Sequence, residues 1–328
     1  MTEPDIHRAI WQRLTDGLPA VVTSHVRLDG DGIGSALAIG HALRRVGVDS
    51  RLVLQPPVPS MFDFLPGMDG RPCTSDGLPD RYNLLVVDCG NFERVGELRE
   101  RLTGRACMIN LDHHDSNTFF GDLNYVDKDA SSCGEMVRRL FATVGVPITR
   151  EIADCLFAAV VSDTGQFAHE DTTAAALEVC AECVNAGARP HVLVRKLFMS
   201  PSPAQVRLRQ LALGTLQFHC DGSVATMQIT EDMFEQTRLG PVDTEGFAEI
   251  PISIQGVEAS ALLKEMPGCG YIKVSMRSRA KVDVCEVAGV FGGGGHKHAA
   301  GCEIADTLEN ALHAVVKELQ RRLVEAES

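Results

Sequence analysis

Two apolar runs that end in charge constrain this chain more than anything else in it. Residues 83–88 read NLLVVD, and residues 106–111 (ACMINL) lead straight into Asp112-His113-His114-Asp115. A near-continuous apolar strand has no polar face, so it belongs in a sheet covered on both sides, the habit of parallel sheets with helical crossovers. In open sheets of that kind, ligand sites gather at the carboxyl ends of the strands. A carboxylate closing each run is a poor end for a core strand and a natural start for a site.

The flanking segments can supply the rest of such a sheet. Further strands are expected over residues 19–25, 50–54 and 123–126. Helices are expected over 5–17, 35–46, 132–144, 152–161 and 172–185. The only tryptophan, Trp11, falls in the first helix and reads as a core anchor. Residues 56–79 are rich in Pro and Gly and read as loop. Strands alternating with helices predict an α/β fold, a doubly wound parallel-sheet domain over residues 1–188. Residues 189–216 read as a helical linker around Ser200-Pro201-Ser202-Pro203. From there the texture changes. Residues 224–229, 258–264 and 271–277 alternate like half-exposed strands, a Gly-rich run follows at 292–296, and a helix over 308–324 closes the chain. Residues 217–328 are therefore expected to form a smaller α+β C-terminal domain.

Charge narrows the partners. The formal net charge is −13 at pH 7, and a protein gripping long duplex nucleic acid needs a basic surface to displace counterions. A small phosphorylated ligand fits better, with a local cation or a metal ion meeting its charge. No apolar run approaches the length of a membrane span, and the N-terminal residues mix charge through a helix, unlike a signal peptide. Eleven cysteines scattered through 328 residues do not suggest a disulfide framework, and a reducing cytoplasm is the expected setting. Cys180-Ala181-Glu182-Cys183 is a single CxxC in an apolar helix, read as buried packing rather than a zinc or redox site.

Imidazole and carboxylate recur wherever an apolar element ends. His25, Asp29 and Asp31 follow the strand at 19–25. Asp88 ends a second strand, Asp112-His113-His114 a third, and Asp163 ends the helix at 152–161. A parallel sheet brings such ends to one rim, and so many carboxylates would be unstable together without a cation. A nitrogen and oxygen donor set suits a borderline-hard divalent ion such as Mn²⁺, or two ions if one carboxylate bridges. Paired ions serve phosphoester hydrolysis. Gly30-Asp31-Gly32-Ile33-Gly34-Ser35 also invites a dinucleotide-binding reading, but the third glycine of that fingerprint is replaced by Ser35, and Asp29 and Asp31 would oppose a pyrophosphate. No phosphate-binding G-x-x-x-x-G-K-[ST] loop is present. The run at 292–296, with Ser275-Met276-Arg277-Ser278-Arg279 upstream, could let backbone N–H groups and a guanidinium approach an anion.

Taken together, these motifs resemble the DHH phosphoesterases, most closely the two-domain oligoribonuclease/pAp-phosphatase branch, over nearly the whole chain. The segments containing His25, Asp29 and Asp31, then Asp88, then Asp112-His113-His114, then Ser162-Asp163-Thr164-Gly165 match its four motifs in order. The Arg277–Arg279 segment and Phe291-Gly292-Gly293-Gly294-Gly295-His296 match its associated C-terminal domain. The resemblance implies two divalent ions, with Mn²⁺ expected. His25 and Asp29 would hold one, Asp31, His113 and Asp163 the other, and Asp88 would bridge. It implies that Asp88, Asp112 and His114 serve catalysis, Asp112 by orienting the imidazoles and His114 by meeting the scissile phosphate or helping the leaving group. Arg277, Ser278, Arg279, Gly293, Gly294, Gly295 and His296 would join His114 in holding substrate, with the active site in the interdomain cleft. Leu28 stands where the family usually has Pro, Gly32 where it has Ala, and Cys133 where it has Thr or Ala.

The expected activity is hydrolysis of short oligoribonucleotides, including dinucleotides such as pApA, and dephosphorylation of 3′-phosphoadenosine 5′-phosphate (pAp). No membrane partner is expected, and a homodimer is the candidate assembly. A cyclic dinucleotide (c-di-AMP) phosphodiesterase is the alternative within the fold, and a non-catalytic nucleotide-binding sensor the alternative outside it. An inorganic pyrophosphatase would not need the Gly-rich run and the arginines. A long-strand exonuclease does not fit the net charge.

Overall fold

The computed structural model describes residues 2–68, 77–244 and 246–326. It divides into two compact units, Met1–Ser200 and Pro201–Ser328.

The first unit contains, in chain order, α1 (Glu3–Leu14), β1 (Ala20–Thr23), α2 (Gly30–Arg45), β2 (Ser50–Leu52), β3 (Tyr82–Val87), β4 (Arg105–Asp112), β5 (Leu123–Val126), α3 (Cys133–Val144), α4 (Arg150–Asp163), α5 (Ala174–Asn185) and α6 (Pro190–Phe198). Among the described residues its five strands are all parallel, in the order β2-β1-β3-β4-β5. The order reverses between β1 and β3, the crevice where open α/β sheets place their ligands. Alternate strand residues feed two cores. Ala20, Val22, Leu85, Val87, Ile109 and Leu111 pack with apolar residues of α1 to α6. Val21, Leu84 and Val86 pack instead on Val95 and Leu98 of a 3-10 segment, Phe92–Glu100. The described part of 56–79 is loop apart from a 3-10 turn at Ser60–Phe62, and residues 69–76 lie outside the described residues.

One boundary differs from expectation. The helix expected over 35–46 begins at Gly30, so Asp31, Gly32 and Gly34 lie in its first turns. Glycine disfavours a helix interior by about 1 kcal/mol relative to Ala, and this is what misleads a reading by propensity. Packing decides otherwise. A Cβ at Gly34 would lie 2.5 Å from the Cys155 carbonyl oxygen, and one at Gly30 would lie 1.9 Å from Ser162 Oγ. The glycines let α2 lie against α4 at backbone distance.

The stretch 189–216, expected as a linker, is divided between the units. Helix α6 buries Leu193 and Leu197 in the first, while the next helix buries Leu208 and Ala212 in the second. That second unit contains α7 (Pro203–Leu213), β6 (Gln217–His219), β7 (Val224–Ile229), α8 (Glu231–Thr237), α9 (Glu249–Ile252), β8 (Ala259–Glu265), β9 (Ile272–Ser278), α10 (Val284–Val290), β10 (Gly294–His296), β11 (Ala299–Ile304) and α11 (Leu308–Ala326). Among the described residues its mixed sheet has six strands in the order β10-β11-β9-β8-β7-β6, with β7 and β8 the parallel pair. One face packs on α10 and α11, the other on α7 and α8. Among the described residues no helix is long and apolar enough to cross a membrane.

Candidate metal centre

The rim of the first sheet gathers its polar residues from separate elements. His25 follows β1. Asp29 is the N-cap of α2 and accepts the Gly32 N–H at 2.9 Å. Asp31 lies in the first turn of that helix. Asp88 follows β3, Asp112 ends β4, His113 and His114 come next, and Asp163 is the last residue of α4. His25, Asp31, Asp88, Asp112, His113 and His114 are all buried. Asp88 has a φ of 56°, a left-handed conformation costly for a residue other than glycine, and its N–H donates to the Leu111 carbonyl at 2.9 Å. Strain of this kind persists where the surrounding structure over-determines it, often at functional sites.

Two imidazoles are set in the same way. His25 Nδ1 lies 2.7 Å from the Val26 carbonyl oxygen, and His113 Nδ1 lies 3.1 Å from that of Ala130. A carbonyl only accepts, so both Nδ1 atoms carry protons and donate. Each Nε2 then faces carboxylates. For His25 these are Asp88 Oδ2 at 3.2 Å and Asp29 Oδ2 at 3.5 Å. For His113 they are Asp163 Oδ2 at 3.2 Å, Asp88 Oδ1 at 3.7 Å and Asp31 Oδ2 at 3.8 Å. An Nε2 lone pair aimed at acceptors needs a proton or a cation between them.

The titration behaviour reflects the same shortage of positive charge. Burial disfavours a charged His113, yet Asp163, Asp31 and Asp88 outweigh it and raise its pKa to about 10. Burial likewise opposes the charge on His25, and Asp29 and Asp88 override it, holding the pKa well above the ordinary value. Burial and the Asp88 charge push Asp31 up to about 7. Burial drives Asp163 well above the usual carboxylate range. Asp88 goes the other way, because the three imidazoles around it outweigh its burial. Without metal the cluster keeps its charges apart by holding protons. The donor set fits divalent ions, which would replace those protons.

His114 is set differently. Its Nδ1 lies 2.8 Å from Asp112 Oδ1, and its Nε2 lies 3.1 Å from Arg94 Nη1. A guanidinium can only donate, so Nε2 accepts and Nδ1–H points at Asp112. Asn117 Nδ2 donates to the other oxygen of Asp112. Burial opposes the Asp112 charge, but the His114 hydrogen bond wins and holds its pKa below the usual range. Asp112 therefore orients His114, whereas the Ala130 carbonyl orients His113.

Arg94 is the residue that sequence reasoning missed. Its backbone is fixed twice: Asn91 Oδ1 accepts its N–H at 3.0 Å, and its carbonyl accepts the Val26 N–H at 2.7 Å. Gly96, with a φ of 77°, permits this approach, since a Cβ there would lie 2.4 Å from Val26 Cγ1. A capping Asn and a nearby Gly mark a turn in the sequence. Nothing local aims a guanidinium at a histidine 20 positions later.

Asp31 also joins two helices. Its oxygens accept the backbone N–H groups of Cys133 at 2.7 Å and Gly134 at 2.9 Å, at the positive N-terminus of α3. Cys133 Sγ lies 4.0 Å from Asp88 Oδ1. One donor atom from each of Asp31, Asp88, His113 and Cys133 falls within a 4.8 Å span, as does one from each of His25, Asp29 and Asp88.

The residues expected to hold substrate lie in the second unit. Arg277 is paired with Glu249, Nη2 to Oε1 at 2.8 Å, and donates from Nη1 to the Met276 carbonyl. Arg279 donates to the carbonyls of Val257 and Ile252. Ser278 Oγ donates to the Val282 carbonyl at 2.6 Å. A phosphate contact from Arg277 would therefore compete with an existing ion pair. Gly294, Gly295 and His296 form edge strand β10 against β11. Part of the glycine density there is steric, since a Cβ at Gly293 would lie 2.2 Å from the Gly301 carbonyl oxygen and one at Gly295 would lie 2.5 Å from that of Ala299. Gly294 has open space around it.

The chain is similar to known proteins along both units. The model of the DHH family, N-terminal domain, matches residues 19–160, and that of the DHHA1 domain matches residues 221–325. The bifunctional oligoribonuclease and PAP phosphatase NrnA of Thermus thermophilus is 32% identical over 308 residues, covering 92% of this chain and 91% of its own. The Bacillus subtilis protein of the same name is 25% identical over 311 residues, covering 91% and 95%. A solved structure of an exopolyphosphatase-related protein from Bacteroides fragilis superposes with a TM-score of 0.87 at 25% identity, covering 99% of this chain and 98% of its own.

Proposed function

The chain belongs to the DHH family of phosphoesterases, and on that premise we propose that it is a metal-dependent hydrolase of very short nucleotides. It cleaves phosphoester bonds. Its substrates are short oligoribonucleotides such as pApA, and pAp. One observation carries the reading: His25 and His113 each donate Nδ1–H to a backbone carbonyl and aim Nε2 into a set of carboxylates. That arrangement calls for cations. The similarity to the Thermus thermophilus enzyme along nine-tenths of both chains supports the substrate class.

His25, Asp29 and Asp88 would hold one divalent ion, and Asp31, His113 and Asp163 a second, with Asp88 shared. These imidazoles and carboxylates accept Mn²⁺ among other divalent ions. When bound, such ions supply Lewis acidity toward a phosphoryl oxygen and neutralise its charge. The remaining roles belong to the chain. Asp112, held by Asn117, fixes the His114 ring, and His114 in turn steadies the Arg94 guanidinium. Arg94 leaves donors for a phosphate oxygen, and a planar guanidinium suits that geometry. In the second unit, Gly293 and the β10 edge, Gly294 to His296, recognise the nucleotide. The net charge of −13 disfavours long polyanions and agrees with short substrates working in the cytoplasm.

Turnover of pAp, pApA and c-di-AMP, each with Mn²⁺, Mg²⁺ or chelator, tests the reading. Release of phosphate from pAp and AMP from pApA, abolished by chelator, is expected. Faster turnover of c-di-AMP would reassign the substrate. Tight binding of these nucleotides without hydrolysis under any metal would make the protein a sensor and end the enzymatic reading.

A further inference from the structure

We propose that Cys133 is a metal ligand of this centre and makes it selective for thiophilic divalent ions, Zn²⁺ and Co²⁺ over Mn²⁺ and Mg²⁺. The proposal takes from the preceding reading only that Asp31, Asp88 and His113 hold an ion.

Position is the first argument. Cys133 is the first residue of α3, with no exposed surface. Its backbone is fixed by its own N–H bond to Asp31 Oδ2 at 2.7 Å. Its sulfur lies 4.0 Å from Asp88 Oδ1 and 3.7 Å from the Leu111 carbonyl oxygen. A zinc ion bonds sulfur at about 2.3 Å and a carboxylate oxygen at about 2.0–2.2 Å, so at the tetrahedral angle two such ligands of one ion lie about 3.6 Å apart. The observed separation of 4.0 Å is a few tenths of an ångström longer, a difference that a small side-chain rotation on binding closes. Asp31, Asp88, His113 and Cys133 offer four donor atoms that all lie within 4.8 Å of one another. With Asp163, which faces the same imidazole at 3.2 Å, they make a mixed nitrogen, oxygen and sulfur set of a kind that zinc accepts.

The other buried cysteines are placed otherwise. Cys107, Cys155, Cys180 and Cys183 share the apolar core of the first unit with Cys133, and Cys302 lies in that of the second, but none of these five groups with the carboxylates and imidazoles of the rim. Cys89 follows Asp88 in sequence, but its Sγ points to the Asn91 carbonyl at 2.9 Å. Cys133 is the thiol among the described residues that joins the carboxylates and imidazole of the rim. On coordination the S–H bond breaks, a sulfur–metal bond forms and the proton leaves to solvent, with no change of oxidation state. The bound cation stabilises the resulting thiolate among these carboxylates. Thiolate ligands select soft ions, whereas carboxylates and imidazoles alone also accept Mn²⁺.

Cobalt titration of the chelator-stripped full-length protein tests this without reference to turnover. The wild type should develop visible d–d bands together with a near-ultraviolet sulfur-to-cobalt charge-transfer band. Cys133→Ser should keep the d–d bands and lose the charge-transfer band, while Cys89→Ser keeps both. In competition experiments, the Zn²⁺-over-Mn²⁺ affinity ratio should fall about tenfold or more in Cys133→Ser, the scale on which a metal site's immediate surroundings act. If the serine variant does not fold, Cys133→Ala takes its place. Wild-type d–d bands without charge transfer, a charge-transfer band that survives in the Cys133 variants, or an unchanged affinity ratio would each overturn the proposal. Absence of any cobalt binding overturns it together with the metal assignment. Loss of pAp turnover with the cobalt spectrum intact counts against the substrate reading alone and leaves the cysteine supported.

Discussion

In the first unit, buried carboxylates face imidazoles whose Nδ1–H groups already donate to backbone carbonyls. In the second, Arg277 faces Glu249, and Arg279 faces the carbonyls of Val257 and Ile252. Both regions are polar and were marked by their residue types. They differ in whether the protein completes its own electrostatics. The arginine strand is satisfied as it stands. The rim is satisfied only by protons held on groups that would ordinarily have lost them, or by cations. Buried polar groups that the fold leaves in need of charge are better evidence of a site than polar groups as such.

The largest effect should separate the two regions outright. Asp88→Ala should lower kcat for pAp by about 10³-fold or more, because it removes the carboxylate shared between both imidazole clusters. Arg277→Met should cost much less, since its guanidinium is already paired within its own unit. Comparable losses in the two variants would erase the distinction between the two regions. Asp112→Asn should come next, at about 10–100-fold, the scale of losses when a group that orients a reacting side chain is changed. Arg94→Met should cost about tenfold, as expected for one hydrogen bond to a charged group. Its loss should appear mainly in KM and be partly restored by Arg94→Lys. A pure kcat effect, or no rescue by lysine, would remove Arg94 from phosphate binding.

Glycine sharpens the comparison through stability. Gly34→Ala should destabilise the protein by about 1–3 kcal/mol, the usual cost of overpacking, because its Cβ would lie 2.5 Å from the Cys155 carbonyl oxygen. Gly294→Ala, with open space around it, should stay within about 0.5 kcal/mol of wild type. Chemical denaturation of both variants measures the difference.

The smallest effect concerns pH. His113, raised to about 10, and His25, raised well above its ordinary value, bind protons more tightly folded than unfolded. Their stabilising contributions are present in full below about pH 6.5, the unfolded histidine value, and are lost as pH rises through the folded values. Chelator-treated protein should therefore lose thermal stability from pH 7 to pH 9, and saturating metal should remove or reverse that slope. A chelated protein whose Tm is flat over this range would mean that these imidazoles carry no extra protons.

How much of this could be read from sequence differed from residue to residue. The apolar runs at 83–88 and 106–111 announced β3 and β4, and their terminal carboxylates announced the rim, because strand length, burial and the position of strand ends follow from local pattern. The start of α2 was misplaced because its glycines oppose helix formation locally, and only contact with α4 explains them. Arg94 was invisible for a similar reason: its side chain depends on a turn fixed by Val26 and on a histidine from another strand. Alone, then, the sequence determined the α/β class, the order of the main elements in the first unit and the residue types at the strand ends, since each depends on periodicity and composition within a few residues. Tertiary structure decided which imidazole faces carboxylates and which faces a guanidinium, and which cysteine reaches the rim. Those outcomes depend on the direction of side chains brought together across the sheet, and no local pattern contains that direction.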